Sequence, residues 1–135
     1  MLSISELTSI ARSHLKDANV LLSKGRYDGA AYLCGYAVEI ALKARIVKTL
    51  KWSGFPAESH EFQRFDALKA FKSHKLEMLL YFTAWDSKIK LKLPAEWSEV
   101  KQWDPESRYR APGYVIQAQA ASRVQSARKI VEALL

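Results

Sequence analysis

Apolar residues recur every three or four positions along most of the chain, and this spacing predicts an all-helical protein. A first helix is predicted to start between Ser3 and Glu6, because these residues form a capping-box pattern. Gly25 is predicted to end it, since glycine suits the turn after a helix. The apolar stripe of this helix consists of Leu7, Ile10, Ala11, His14, Leu15, Ala18, Leu21 and Leu22.

The second predicted helix carries small side chains on two adjoining faces. We expect Asp28 to cap it and the helix to extend to about Lys51. Small side chains let neighbouring helices approach closely, so this helix is predicted to be buried on two sides. One row of its residues is Ala30, Cys34, Ala37 and Ala41, and the other is Ala31, Gly35, Val38 and Leu42.

The middle of the chain predicts loops and shorter helices. Residues 52–60 are typical of a loop, a short helix is expected over residues 61–71, and Ser73 is expected to cap a third main helix. Residues 86–93 alternate lysine with apolar side chains, which is typical of a strand. Because a single strand would have no partner elsewhere, we interpret this stretch as a helix end followed by a linker.

The last third of the chain predicts one short and one long helix. Pro94 is favoured in a first helical turn and predicts a short helix to Trp103. A loop over residues 104–112 precedes a final helix that ends near Leu134. The whole pattern predicts one domain over residues 1–135, folded as an up-and-down bundle of four to five helices.

Charge and composition narrow the class of protein only slightly. The formal net charge is +7 and the pI is near 9.6. This balance suits a nucleic-acid or acidic partner, and it suits a solvated lysine-rich surface equally well. No apolar run reaches the roughly 20 residues of a membrane span, and the first residues do not resemble a signal peptide. With Cys34 as the single cysteine, a cytoplasmic location without membrane contact is expected.

The residues that usually carry metal, nucleophilic or phosphate-loop chemistry form no recognisable pattern. His14, His60 and His74 have no helical pairing, and Cys34 has no histidine nearby, so no metal site is predicted. A cysteine within a row of small residues usually acts as a small apolar side chain rather than as a nucleophile. The five glycines never form a phosphate-binding loop. We therefore predict no cofactor.

Glu39 and Lys43 are charged residues one turn apart on the otherwise small and apolar second helix. At this spacing they can pair with each other. The apolar neighbours of Glu39 predict that its carboxylate is partly buried and needs a cation, for which Arg108 is the candidate. Alternatively, Arg108 is presented to a phosphate or a base.

Arg108, Tyr109 and Arg110 place an aromatic ring between two cations, and such a group can stack on a base and pair with a phosphate. His74 can be a general acid or base, or simply a polar residue in the first turn of the third helix. No residue is predicted to be catalytic. The candidate ligand-binding residues are Arg108, Tyr109, Arg110, Lys43, Glu39 and His74.

Tyr81, Trp85, Trp97 and Trp103 are predicted to cluster between the third helix and the loop that follows. Such rings usually belong to a core or to a subunit interface. Small helical bundles commonly pair through aromatic faces, so a two-fold homodimer is expected.

Three segments together resemble the HEPN family of small all-helical proteins. They are GRYDGAAYLCGYAVEIALKA from Gly25, SHKLEMLL from Ser73 and EWSEVKQWDPESRY from Glu96. The resemblance covers residues 5–135 and implies a dimerising bundle of about five helices. It also implies that the protein functions together with a small nucleotidyltransferase, in toxin–antitoxin or nucleotide-handling systems. Many members of the family bind RNA or nucleotides, and some are metal-independent ribonucleases.

The ribonuclease members of this family carry an arginine with a histidine four to six residues later. None of the eight arginines in this chain has a histidine at that distance. We therefore favour a binding module that recognises RNA, a nucleotide or a partner protein without catalysis. The alternative is a metal-independent ribonuclease toxin that uses His74 and arginines at a dimer interface. A partner-docking subunit that touches no nucleic acid is a third hypothesis.

Overall fold

The computed structural model of the chain describes residues 1–64 and 66–135, and the side chains of these except 62–64, 66 and 67. The prediction of an all-helical bundle is confirmed: the described residues form seven α-helices, joined by turns and two 3₁₀ segments. None of the described helices combines the length and apolarity needed to cross a membrane. The long helices, which pack against one another, are α1 (Ile4–Ser23), α2 (Tyr27–Leu50) and α7 (Gln117–Leu134). The short helices are α3 (Ser59–Arg64), α4 (Leu76–Phe82), α5 (Asp86–Lys92) and α6 (Pro94–Val100), with 3₁₀ segments at Asp66–Phe71 and Pro105–Tyr109.

Helix α1 begins and ends as its sequence predicts. The Ser3 hydroxyl accepts a hydrogen bond from the backbone N–H of Glu6 at 3.2 Å, and the Glu6 carboxylate accepts one from the Ser3 N–H at 2.8 Å. Gly25 follows the helix with a φ of +74°, in the left-handed region that favours glycine. The side chains of Leu7, Ala11, Leu15 and Ala18 form its buried face.

Helix α2 is the centre of the bundle, because both rows of small side chains on it are buried. The prediction of burial on two sides is confirmed, since α1 and α7 both pack against it. The expected cap is wrong. Asp28 lies in the first turn of α2, and its carboxylate instead accepts hydrogen bonds from the backbone N–H groups of Gly113 at 2.6 Å and Val115 at 2.9 Å. Asp28 therefore ties the segment before α7 to the start of α2.

Gly35 makes room for an aromatic ring. A Cβ atom added there would lie 2.0 Å from Cδ1 of Trp103, so any larger residue would collide with the indole. The indole Nε1–H of Trp103 donates to the backbone carbonyl of Tyr32 at 3.1 Å. The chain that follows α6 is thereby fixed against α2.

The shorter elements differ from their predictions in detail. The helix expected over 61–71 falls partly on residue 65, outside the described residues, and its described parts belong to α3 and a 3₁₀ segment. Ser73 does not cap α4, because the helix starts at Leu76 and the Ser73 hydroxyl accepts from the N–H of Lys75 at 3.0 Å. The stretch in which lysine alternates with apolar residues forms α5. The interpretation as a helix end therefore agrees with the structure better than a strand does. Ala84, with a φ of +61°, separates it from α4.

The predicted aromatic cluster is wrong, because its members lie apart. Trp97 is buried and donates its indole N–H to the Glu77 carboxylate at 2.7 Å. Trp85 lies between two cations, with Arg45 and Lys88 each 3.8 Å from its ring centre. Within the described residues no ring contact joins Trp85, Trp97 and Trp103.

The packing of Trp103 on Gly35 predicts the outcome of Gly35→Ala. The added methyl group would displace the indole, so the free energy of unfolding should fall by about 1–3 kcal/mol. Gly29→Ala is a matched control in the same helix, where the new Cβ would meet only the end of the Leu21 side chain at 3.2 Å. Urea unfolding of both variants measures the difference. Equal stabilities would contradict the role of Gly35.

Candidate functional site

A polar stripe runs along α2 on the face opposite its alanines. Tyr32, Tyr36, Glu39 and Lys43 are spaced by four, three and four residues, which places their side chains on one side of the helix. The hydroxyl groups of the two tyrosines lie 3.4 Å apart. The Tyr36 ring also packs edge-on against Trp103, with 4.8 Å between the ring centres. The stripe therefore runs from the part of α2 that packs against Trp103 to the part that carries Glu39.

The carboxylate of Glu39 is 2% exposed and contacts two basic side chains. Lys43 donates to it at 2.7 Å, so the predicted pairing of these two residues is confirmed. The Nδ1 atom of His74 lies 3.1 and 3.0 Å from its two oxygens. A buried carboxylate requires such partners, because burial removes the water that would stabilise its charge.

Arg108 is not the partner of Glu39, and that prediction was wrong. The backbone of the Pro105–Tyr109 segment directs the Arg108 guanidinium to the carbonyl of Pro105 at 3.0 Å and the hydroxyl of Tyr109 at 3.2 Å. The alternative of an Arg108 presented outwards fits this geometry. The basic partners of Glu39 come instead from its own helix and from the chain before α4.

His74 is oriented by Glu39. It lies two residues before α4, rather than inside the helix as expected. Because a carboxylate only accepts hydrogen bonds, Nδ1 must carry the proton that points at Glu39, and Nε2 faces away from it. The side chain of His74 is 54% exposed, whereas that of Lys43 is only 14% exposed. The imidazole is thus held at one edge and open to solvent at the other.

Arg108 and Tyr109 form a stacked and exposed pair. The guanidinium lies 4.6 Å from the centre of the Tyr109 ring, and Tyr109 is 73% exposed. The hydrogen bond to the Tyr109 hydroxyl is the main cause that raises the pKa of Arg108, so it stays cationic. Burial, with a hydrogen bond to Tyr32 and the charge of Glu39, raises the pKa of Tyr36 to about 12, so its phenol stays protonated.

A cavity of about 230 Å³ lies beside this pair, between α2 and the chain from α6 to α7. Among the predicted site residues only Arg110 lines it, together with Tyr32, Trp103, Tyr114 and Arg123. The Arg110 guanidinium lies 5.5 Å from the centre of the Tyr114 ring. Arg123 is not among the predicted site residues, although the sequence carries one signal for it: Arg123 shares a helical face with the buried Ala120 and Ala127.

Cys34 also lines the cavity wall, but as a buried thiol. Its S–H donates to the carbonyl of Ala31 at 3.2 Å, and burial raises its pKa to about 12. A thiol that resists ionisation is a poor nucleophile, which fits the interpretation of Cys34 as a small apolar side chain. No group of three or more metal-ligating side chains occurs in the part of the chain that the structure describes.

The six candidate residues therefore fall into two groups. Glu39, Lys43 and His74 are in direct contact at one end of the polar stripe. Arg108 and Tyr109 lie at the other end, and Arg110 follows them at the cavity. Tyr32 and Tyr36 lie between the groups. No hydrogen bond or ion pair joins Glu39 to Arg108 among the described residues.

The burial of Glu39 predicts that Glu39→Gln destabilises the fold. Lys43 and His74 would lose their anion, which should lower the free energy of unfolding by about 1–3 kcal/mol. Glu132→Gln is the matched control, because Glu132 is 66% exposed and lies 3.9 Å from Arg128. Loss of the Glu132 charge should lower the free energy of unfolding by about 0.5 kcal/mol or less. Chemical denaturation at neutral pH measures both, and similar small losses would contradict a buried ionic cluster.

The comparisons with known proteins agree with this architecture. The family model described as HEPN domain matches residues 4–135, which is nearly the whole chain. No curated protein and no solved structure matched the sequence. The match spans α1 through α7 and includes both groups of site residues. The chain belongs to the HEPN domain family.

Proposed function

We propose that this HEPN domain is a non-catalytic module that binds single-stranded RNA through the surface around Arg108, Tyr109 and Arg110. The observation that carries the proposal is the exposed stack of the Arg108 guanidinium on the Tyr109 ring. An open aromatic face accepts a base, and a neighbouring guanidinium pairs with phosphate. The positive net charge of +7 supports attraction to a polyanion.

Lys43, one of the predicted ligand-binding residues, is not part of the proposed contact. Its ammonium group is engaged by Glu39 at 2.7 Å, and its side chain is 14% exposed. Binding a phosphate there would require breaking a largely buried ion pair. The arginines near the cavity are better placed, because Arg108 donates only to neutral oxygens among the described residues.

A homodimer and a nucleotidyltransferase partner stay predictions that rest on the family resemblance. So does a role in a toxin–antitoxin-type or nucleotide-handling system. Exposed apolar side chains of Met78, Tyr81 and Leu91, on α4 and α5, offer contact area for a second protein. They lie on other elements than Arg108 and Tyr109, so a partner there is compatible with RNA at the proposed surface.

RNA binding should depend on Arg108 and on salt. We expect the affinity for a short single-stranded RNA to fall with rising salt, and Arg108→Ala to weaken binding about tenfold at fixed salt. Arg128→Ala is the control, because Arg128 is an exposed arginine on α7 whose loss changes the net charge equally. Fluorescence anisotropy of a labelled RNA measures the affinity of the unchanged protein and of the two variants. Unchanged RNA affinity in a folded Arg108→Ala variant would refute the proposed surface.

One observation favours the ribonuclease alternative. The Glu39 carboxylate holds Nδ1 of His74, and the other edge of this half-exposed ring faces away from it. A histidine oriented by a carboxylate is the arrangement in which imidazole accepts or donates protons in catalysis. The chain nevertheless lacks the arginine–histidine spacing of ribonuclease members. We therefore keep cleavage as the second candidate.

Cleavage and binding can be separated with two histidine variants. Under the binding proposal, the purified protein leaves RNA intact across neutral pH. Cleavage that is lost in His74→Ala but kept in His60→Ala would replace the binding module with a ribonuclease. His60 is a suitable control because its side chain is 74% exposed and contacts Glu58 rather than Glu39. Gel analysis of labelled RNA without added metal measures the result.

A further inference from the structure

We propose that α4 and α5 form a docking surface for a short acidic amphipathic segment of a partner protein. This inference goes beyond the proposed function, because it concerns another class of ligand and other elements than Arg108 and Tyr109. We call it the α4–α5 surface, and its exposed residues are Lys75, Met78, Tyr81, Lys88, Leu91 and Lys92.

The apolar part of the α4–α5 surface consists of three large side chains that project into solvent. Leu91 is 83% exposed, and Met78 and Tyr81 are exposed on α4. The same helices supply buried core residues, including Leu79 and Ile89, so the exposed side chains are additional to the core. Met78 and Tyr81 are three residues apart and share one side of α4. Methionine and tyrosine are both enriched where proteins contact each other.

A surface ion pair joins the exposed sides of the two helices. Lys90 on α5 donates to the Glu77 carboxylate of α4 at 3.0 Å, and it also pairs with Asp86 at 3.0 Å. Tyr81 follows Glu77 by one turn on α4, and Leu91 directly follows Lys90 on α5. The exposed apolar side chains of both helices therefore flank the same bridge.

Three lysines accompany the apolar side chains. Lys75 precedes Met78 by three residues, and Lys88 precedes Leu91 by three residues. This spacing places the members of each pair on the same side of a helix. Lys92 directly follows Leu91, and all three lysines are exposed. The apolar side chains thus have cationic neighbours on both helices.

The positive charge of these lysines is not neutralised within the fold. Among the described residues, the ammonium groups of Lys75 and Lys92 form no hydrogen bond or ion pair. The ammonium group of Lys88 lies 3.8 Å from the centre of the Trp85 ring, and it pairs with no carboxylate of the described chain. The two carboxylates of α4 and α5 are already engaged by Lys90. The α4–α5 surface therefore offers apolar area together with unpaired cations.

Charge complementarity selects an acidic protein segment as the occupant. A second copy of the same surface would bring its lysines against like charges. Membrane-surface helices are commonly roughly 20–30 residues long, whereas α4 and α5 have 7 residues each. A segment with apolar side chains on one face and carboxylates beside them would cover the apolar part and pair with the lysines. Each short helix is about 10 Å long, so the contact belongs to the weak and transient class.

The test uses a labelled synthetic peptide that has this chemistry. Its leucines are placed at positions i, i+3, i+4 and i+7, and glutamates fill the positions between them. One control peptide has lysine in place of glutamate, and the other has serine in place of leucine. We expect only the acidic peptide with leucines to bind, and its affinity to fall with rising salt. Fluorescence anisotropy of each peptide measures the binding.

Variants of the protein locate the peptide. Leu91→Ser should weaken binding about tenfold, because it removes an apolar contact. Val20→Ser, which changes an exposed apolar residue of α1, should leave the affinity within about twofold. Lys92→Glu should weaken binding roughly threefold at low salt, whereas Lys16→Glu on α1 changes the net charge equally and should not. Tyr81→Ser provides a second apolar variant, should Leu91→Ser fail to fold.

Failure of the acidic peptide to bind, or equal binding by Leu91→Ser and the unchanged protein, would overturn the inference. Two further measurements test other occupants. Leu91-dependent binding to vesicles of phosphatidylserine and phosphatidylcholine, without peptide binding, would assign the surface to a membrane. Self-association in sedimentation that Leu91→Ser abolishes would assign it to a second copy of the chain. RNA binding that depends on Arg108 and not on Leu91 would leave the proposed function standing in each of these cases.

Discussion

The close approach of α1 and α7 to α2 is the constraint on which the rest of the structure depends. It is possible because one side of α2 carries only alanine and cysteine, at Ala30, Cys34, Ala37 and Ala41. A helix that is packed this tightly on one side has only its opposite side left for longer polar groups. The stripe from Tyr32 to Lys43 occupies that side. The core and the candidate site are therefore two faces of the same helix.

The segment between α6 and α7 takes its position from α2. Trp103 docks on Gly35, and Asp28 holds the backbone at Gly113 and Val115. Both anchors belong to α2 or to a ring packed against it. The chain between them, including the Pro105–Tyr109 segment, is short and held at both ends. Its cationic and aromatic side chains are thus displayed from an ordered base rather than from a long loose loop, which lowers the entropy lost on binding.

The charged groups of the described residues divide into those that are paired within the fold and those that have no ionic partner there. Glu39 engages Lys43 and His74, so these basic groups stabilise a buried anion. Arg110 and Arg123 have no such role among the described residues and line a cavity instead. Net charge alone could not separate the two kinds, because a lysine in a buried pair and an arginine in a cavity contribute equally to it.

Much of the fold follows from the sequence, because its causes are local. The capping box at Ser3, the turn at Gly25, the small rows of α2 and the Glu39–Lys43 pair depend on residues within one turn of each other, so spacing alone predicts them. The family also follows from such segments.

The contacts between distant segments were decided only by the tertiary structure. Asp28 binds the backbone before α7, His74 reaches Glu39, and Trp103 fills the space above Gly35. Each of these joins residues that lie tens of positions apart, and a hydrogen-bonding or aromatic side chain has many equivalent partners in a sequence. Packing selects one of them, and that selection created both the ionic cluster and the cavity.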